Sequence, residues 1–302
     1  MVGAGARERG AGLRGAGLAM SIEPGVALAV LAAALLHAGW NALIRGAGDK
    51  RLYTLLLHAC SAAVGAVGLL FTGLPAPESW PYLGLSAVLH SGYILLLIKA
   101  YDGGQLTTSY TLMRGLPPLI VGLLSGPVLG ETLGPAGMAG IACISCGVIA
   151  IGFTSRQPIS RILAHPSTRA AVLNALAISA YTVVDGQGVR LAGNPLAYVF
   201  CLSLLEPVGA LLVAARRDPG AIRGYFLANW WRGAVGAVAA TLAYGTILWA
   251  MTQAPVAMVA ALRETSVIFA VLIGALWFKE GRLRSGLAVG AVVVVGIFLL
   301  RA

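Results

Sequence analysis

Of the 302 residues, 58% are hydrophobic and only 11% are charged, and the mean hydropathy is +0.86. A soluble domain carries about 25% charged residues, so this composition excludes a soluble globular protein and places the chain in a membrane. The net charge of +10 lies mostly at the ends of apolar runs, as membrane orientation requires. No basic stripe or nucleic-acid motif accompanies it, which excludes nucleic-acid binding.

Residues 1–24 are expected to form a disordered basic extension: "MVGAGARERGAGLRGAGLA" is rich in Gly, Ala and Arg and has no apolar period. Met20 opens "MSIEPGVALAV" and reads as an alternative start. No short apolar segment with a cleavage site follows the basic residues, so this is not a signal peptide. Ten stretches then reach the roughly 20 apolar residues that a spanning helix needs. They are 25–44, 52–74, 80–100, 106–129, 134–153, 168–190, 195–215, 231–252, 256–278 and 285–301. Turn-forming stretches such as "YDGGQ", "GETLGP", "AGNP" and "KEGR" separate them. The expected fold class is an all-α integral membrane protein with ten transmembrane helices. So many spans leave no room for an extramembrane catalytic domain.

The chain repeats itself. At one common offset, Arg114 aligns with Arg263, Leu123 with Leu272, Glu131 with Glu280, Gly137 with Gly286 and Gly147 with Gly296. "HAGWNALIR" can also be laid over "YTVVDGQGVR", placing Asn41 on Asp185. Two five-helix units result, 25–154 and 168–302. Because five is odd, the second unit enters the membrane from the opposite side, which makes an inverted repeat with a substrate site near the midplane.

Arg114 and Arg263 each lie about 12 Å into a span at 1.5 Å per residue. A charge facing lipid there costs several kcal/mol, so each must face a wet cavity or a partner. They are the principal candidates for binding an anionic group; the alternative is pairing with an intramembrane carboxylate. Gly115, Pro117 and Pro118 follow Arg114 and read as a break or hinge in the fourth span. Non-helical backbone survives at that depth only inside protein or beside water. Asp185, Glu206 and Glu264 are intramembrane carboxylates suited to coupling protons, or to silent ion pairing. His37 and Asn41, four residues apart, share a helix face and form a candidate substrate patch with Trp40. Tyr93 and Tyr181 are further candidates. His58 and His90 read as packing residues, and Glu131 and Glu280 as partners of neighbouring helix ends.

Cys60, Cys143, Cys146 and Cys201 all fall in apolar runs and read as small apolar residues. No nucleotide, metal or nucleophile motif is present, so no cofactor is expected.

The stretch "GETLGPAGMAGIACISCG" resembles EamA-type members of the drug/metabolite transporter superfamily, through Glu131, Leu133, Gly140 and Gly147. The second unit repeats the pattern with Glu280 and Gly296 and departs at Val289, where the glycine is displaced to Gly290. The resemblance covers nearly all of 25–301. "LLHAGWNALIR" is similar to a bacterial subset with a His-Ala-x-Trp-Asn-Ala motif, some of which is linked to phosphonate utilisation. The resemblance implies secondary transport of small metabolites, often export, in the inner membrane, without naming a substrate. The expected partners are a small anionic or zwitterionic molecule, lipid, and protons or a counter-substrate; a homodimer is compatible. A lipid or head-group flippase of the same architecture is the alternative, and an integral-membrane enzyme fits poorly because the carboxylates are scattered at depth. Lys and Arg residues concentrate in the first, third, fifth, seventh and ninth connections, which places both termini outside the cytoplasm.

Overall fold

A computed structural model describes residues 22–101, 106–152, 159–207, 218–276 and 283–301. The basic extension up to residue 21 and Glu280 lie outside these. The described residues are helical and contain no strand. In chain order the helices are α1 (Pro24–Arg45), α2 (Lys50–Thr72), α3 (Trp80–Tyr101), α4 (Leu106–Leu124), α5 (Pro135–Gly152) and α6 (Ile159–Ala164). They continue with α7 (Pro166–Leu191), α8 (Pro195–Leu205), α9 (Pro219–Gln253), α10 (Val256–Arg263), α11 (Ser266–Leu276) and α12 (Leu283–Leu299). Among the described residues seven stretches are long and apolar enough to cross a membrane, and the chain is a multi-pass integral membrane protein. Large apolar side chains face outward, among them Leu70 and Phe71 at over 80% exposure. Trp80 lies at one end of the bundle and Trp230 and Trp231 toward the other, all exposed, where interfacial aromatics belong.

α7 is not among the seven stretches, because polar residues dilute it. Those residues point inward: Thr168, Asn174, Ser179, Thr182 and Asp185 are all at most 4% exposed, while Leu173, Leu176 and Leu191 face out. In lipid the outer surface must be apolar, so a helix can be polar only where it is enclosed. α7 is enclosed by α3, α4 and α9.

Helix contacts interleave the halves of the chain. α3 packs on α7 and α1 on α9; α4 packs on α7, and α1 on α10 and α11; α2 meets α8, and α5 meets α12. The α2–α3 and α7–α8 connections meet at one end of the bundle, where the Ala76 amide donates to the Ala192 carbonyl at 3.0 Å.

Two expectations about broken backbone change. α4 runs without interruption through Gly115, Pro117 and Pro118. The prolines lack the amides that would bond the carbonyls of Met113 and Arg114, yet the helix continues into a π-helical turn at Ser125–Leu129. Gly115 serves close packing instead: a Cβ there would lie 2.4 Å from Ile149 and 2.9 Å from the Ser145 carbonyl of α5. The interruption falls in the other unit, between α10 and α11. There Glu264 and Thr265 donate to the carbonyls of Ala261 and Leu262, three residues back, at 3.1 Å each. The Thr265 hydroxyl also takes the Leu262 carbonyl at 2.7 Å, an instance of a short polar side chain competing with the helix ladder. Cys146 is exposed on α5 rather than buried, and the cysteines are free.

α5 and α12 touch backbone to backbone. A Cβ on Gly140 would lie 2.8 Å from the Gly296 carbonyl and 2.9 Å from the Leu300 amide. Membrane helices without a hydrophobic drive between them rely on such close packing. Replacing Gly140 with Leu should therefore lower stability by about 2 kcal/mol or more. Thermal unfolding in detergent would read the loss, and an unchanged midpoint would disprove the contact.

Candidate functional site

Arg114 and Arg263 meet on one carboxylate. α4 brings Arg114 about 12 Å in from the end holding the α3–α4 connection, and α10 brings Arg263 about 11 Å in from the opposite end. Glu264, at the α10–α11 interruption, lies between them. Arg114 Nη1 is 3.6 Å from its Oε2, and Arg263 Nε is 3.2 Å from its Oε1. Glu264 is 0% exposed and Arg263 4%. α1 supplies the remaining wall. His37 Nε2 contacts Arg114 Nη2; a guanidinium only donates, so Nε2 accepts and this imidazole is neutral. Trp40 stands edge-on to His37 at 4.9 Å, and the Arg114 guanidinium lies 5.9 Å from the centre of the Tyr110 ring. Among the described residues, two permanent cations share one anion, which leaves one surplus positive charge. Arg263 Nη2 and Trp40 Nε1 are buried donors with no hydrogen-bond partner among those residues, an uncommon state for buried polar groups. Asn41 turns its amide back onto its own helix, donating to the His37 carbonyl at 2.7 Å.

A second, acidic cluster holds the other predicted residues. Asp185 is fully buried and accepts from the Tyr198 hydroxyl at 2.9 Å and the Tyr244 hydroxyl at 2.5 Å. Glu206 follows the last residue of α8, 3.5 Å from His90 Nε2. His90 stacks on Tyr181 at 4.0 Å, and Tyr93 meets Tyr181 edge-on at 6.1 Å. Tyr93 lies within electrostatic range of Arg114, Arg263 and Glu206, between the two clusters.

Residues 169–302 match the EamA-like transporter family, within the drug/metabolite transporter superfamily. A solved structure described as "Crystal structure of protein" superposes with a TM-score of 0.71 at 19% identity, over 91% of this chain and 94% of that chain. That likeness establishes the fold across both halves. No curated protein matches the chain.

The EamA-like part is tied to the first half through Glu131. Its carboxylate pairs with Arg190 Nη2 at 2.5 Å and accepts from the Val256 amide at 3.0 and 3.1 Å. It thereby caps the positive end of the α10 dipole. Arg190 also donates to the carbonyls of Met251 and Ala254. The role of a helix-end partner is what the sequence suggests for Glu131; its pairing with Arg190 was not visible there. The sequence reads His90 as a packing residue, offers Tyr244 only as one tyrosine among several that could bond a substrate, and gives no signal for Tyr198; the i, i+4 spacing of Ser86 and His90 is the local cue to the cluster.

The charge balance orders three substitutions. Glu264→Gln removes the shared anion and leaves two buried cations, so it should cost about 3–5 kcal/mol. Arg114→Gln and Arg263→Gln each remove the surplus charge and should cost less. Denaturant or thermal unfolding of the three purified variants tests the order; equal losses would show that Glu264 does not hold both arginines.

Proposed function

We propose that the chain is a secondary active transporter, working by alternating access as an exporter of a small anion-bearing or zwitterionic metabolite across a bacterial inner membrane. The carrying observation is the pair of repeat-related arginines converging on one carboxylate, with a surplus buried cation and unpartnered donors beside it. A planar guanidinium suits carboxylate, phosphonate or phosphate. His37, Trp40, Tyr93 and Tyr181 line the approach in this reading. Glu264 holds the arginines, which leaves Asp185 and Glu206 as the carboxylates able to couple protons or receive an ammonium group.

Two inverted five-helix repeats and ten crossings complete the proposal. In its support, the contact of α3 with α7 is mirrored by that of α1 with α9. The contact of α4 with α7 is mirrored by that of α1 with α10 and α11, and α2–α8 and α5–α12 each map onto themselves. Coupling to a proton gradient or exchange follows from the buried carboxylates and the missing nucleotide motif. A second reading, a head-group flippase, draws on an apolar groove of about 430 Å³ between α1 and α9, lined by Leu36, Val235, Val238 and Leu242 among others.

Purified protein should be stabilised against heat by at least one member of a panel of amino acids, dicarboxylates, alkylphosphonates and phosphate monoesters; at a hundred times Kd the gain is about 2.7 kcal/mol. Arg114→Lys keeps the charge but loses the fork and should weaken that ligand about tenfold. Normal transport of it by Arg114→Gln in proteoliposomes would show the arginine to be structural. Stabilisation by phospholipid head groups alone would favour the flippase.

Orientation is testable separately. The described basic residues Arg45, Lys50, Arg51, Lys99, Arg161, Arg169, Arg223 and Arg232 belong to the end opposite the chain termini, which puts that end in the cytoplasm. A C-terminal green fluorescent protein fusion should be dark, and bright fluorescence would refute the assignment.

A further inference from the structure

We propose that His90 and Glu206 share a single proton, at a site distinct from the arginine cluster, and that this proton joins α3 to the end of α8 near the middle of the membrane. The argument begins with the other face of the imidazole. His90 Nδ1 lies 2.9 Å from the Ser86 carbonyl oxygen and 3.1 Å from the Ser86 hydroxyl. A carbonyl oxygen only accepts, so Nδ1 carries a hydrogen. In the neutral ring Nε2 is then a bare lone pair, and it faces Glu206 Oε1 at 3.5 Å. A lone pair opposite a carboxylate is repulsive. The approach is favourable when one proton lies on either partner, as imidazolium against carboxylate or as neutral imidazole against carboxylic acid.

The surroundings fix the ring and, among the described residues, supply no competing cation in contact with it. Tyr181 of α7 stacks on one face at 4.0 Å, and Tyr244 of α9 meets it edge-on at 6.2 Å. The Tyr244 hydroxyl is turned away, donating to Asp185. Arg114 and Arg263 lie within electrostatic range of Tyr93 and Tyr181, the aromatic residues next to His90, and Tyr110 and Glu264 act on the same two rings. The His90 side chain is 11% exposed and that of Glu206 25%, so Glu206 is the side from which the proton enters and leaves. On leaving, it breaks one N–H or O–H bond and the electron pair stays behind, so lone pair and carboxylate face each other with nothing between. Glu206 keeps helical backbone at the end of α8, and Pro207 after it has no amide for the helix ladder, so relief comes by displacement of the Glu206 carboxylate from His90. The coupling role rests on the transporter reading; the shared proton itself does not.

The test is nitrogen NMR of the full chain in nanodiscs with ¹⁵N-labelled histidine, the His90 signals being assigned by their loss in His90→Gln. In the wild type, Nδ1 should stay protonated throughout a pH series, while Nε2 changes protonation in one step. In Glu206→Gln the amide donates to Nε2, so the Nε2 step should disappear while Nδ1 stays protonated. Infrared difference spectra of the wild type over the same series should contain a carboxyl band that Glu206→Gln abolishes, which gives a second readout if either variant folds poorly. A bare Nδ1, or an Nε2 step unchanged in Glu206→Gln, would overturn the proposal. Loss of the step in a variant still stabilised by the anion panel would support two separate sites. The same loss with no ligand stabilising even the wild type would leave the shared proton standing and count against the transport reading alone.

Discussion

A guanidinium in hydrocarbon has nowhere to put its charge, and this fold is organised around two of them. Glu264 can neutralise one. Holding it between both requires α4 and the α10–α11 interruption to approach within ion-pair range from opposite ends of the bundle. α1 must then close over the pair, with a neutral imidazole turned to accept from Arg114.

The interior is accordingly divided. Cations and their carboxylate lie against α1, and the acidic and aromatic residues lie among α3, α7, α8 and α9. α7 connects the two regions, carrying Tyr181 and Asp185 on a buried polar face. Its modest hydropathy is a consequence of being enclosed. Glu131 and Arg190 fasten one end of this arrangement by joining the first half of the chain to α7 and to the start of α10.

The sequence made the helices legible because lipid imposes a simple rule: long apolar runs cross. Even α7 was readable as residues 168–190, close to the observed Pro166–Leu191. The arginines were legible because a charge inside such a run demands a reason. The broken backbone was misplaced because proline advertises a missing donor, whereas Glu264-Thr265-Ser266 contains no breaker and is interrupted by hydroxyl competition and tertiary contacts. Partnerships between distant positions were not legible: His37 and Arg114 are 77 residues apart, and Tyr244 and Asp185 are 59. His90 looked like packing because its significance lies in which nitrogen is already occupied, a fact of geometry alone.

The crossing of Gly140 and Gly296 sets the kinematics of any motion between the halves. Two helices with no side chain between them at their closest point have almost no lever arm there. A rotation of one half against the other displaces atoms least at this crossing and progressively more with distance from it. A few degrees of rotation pivoted on the α5–α12 contact would leave it undisturbed and become a swing of ångströms at the remote side of the bundle.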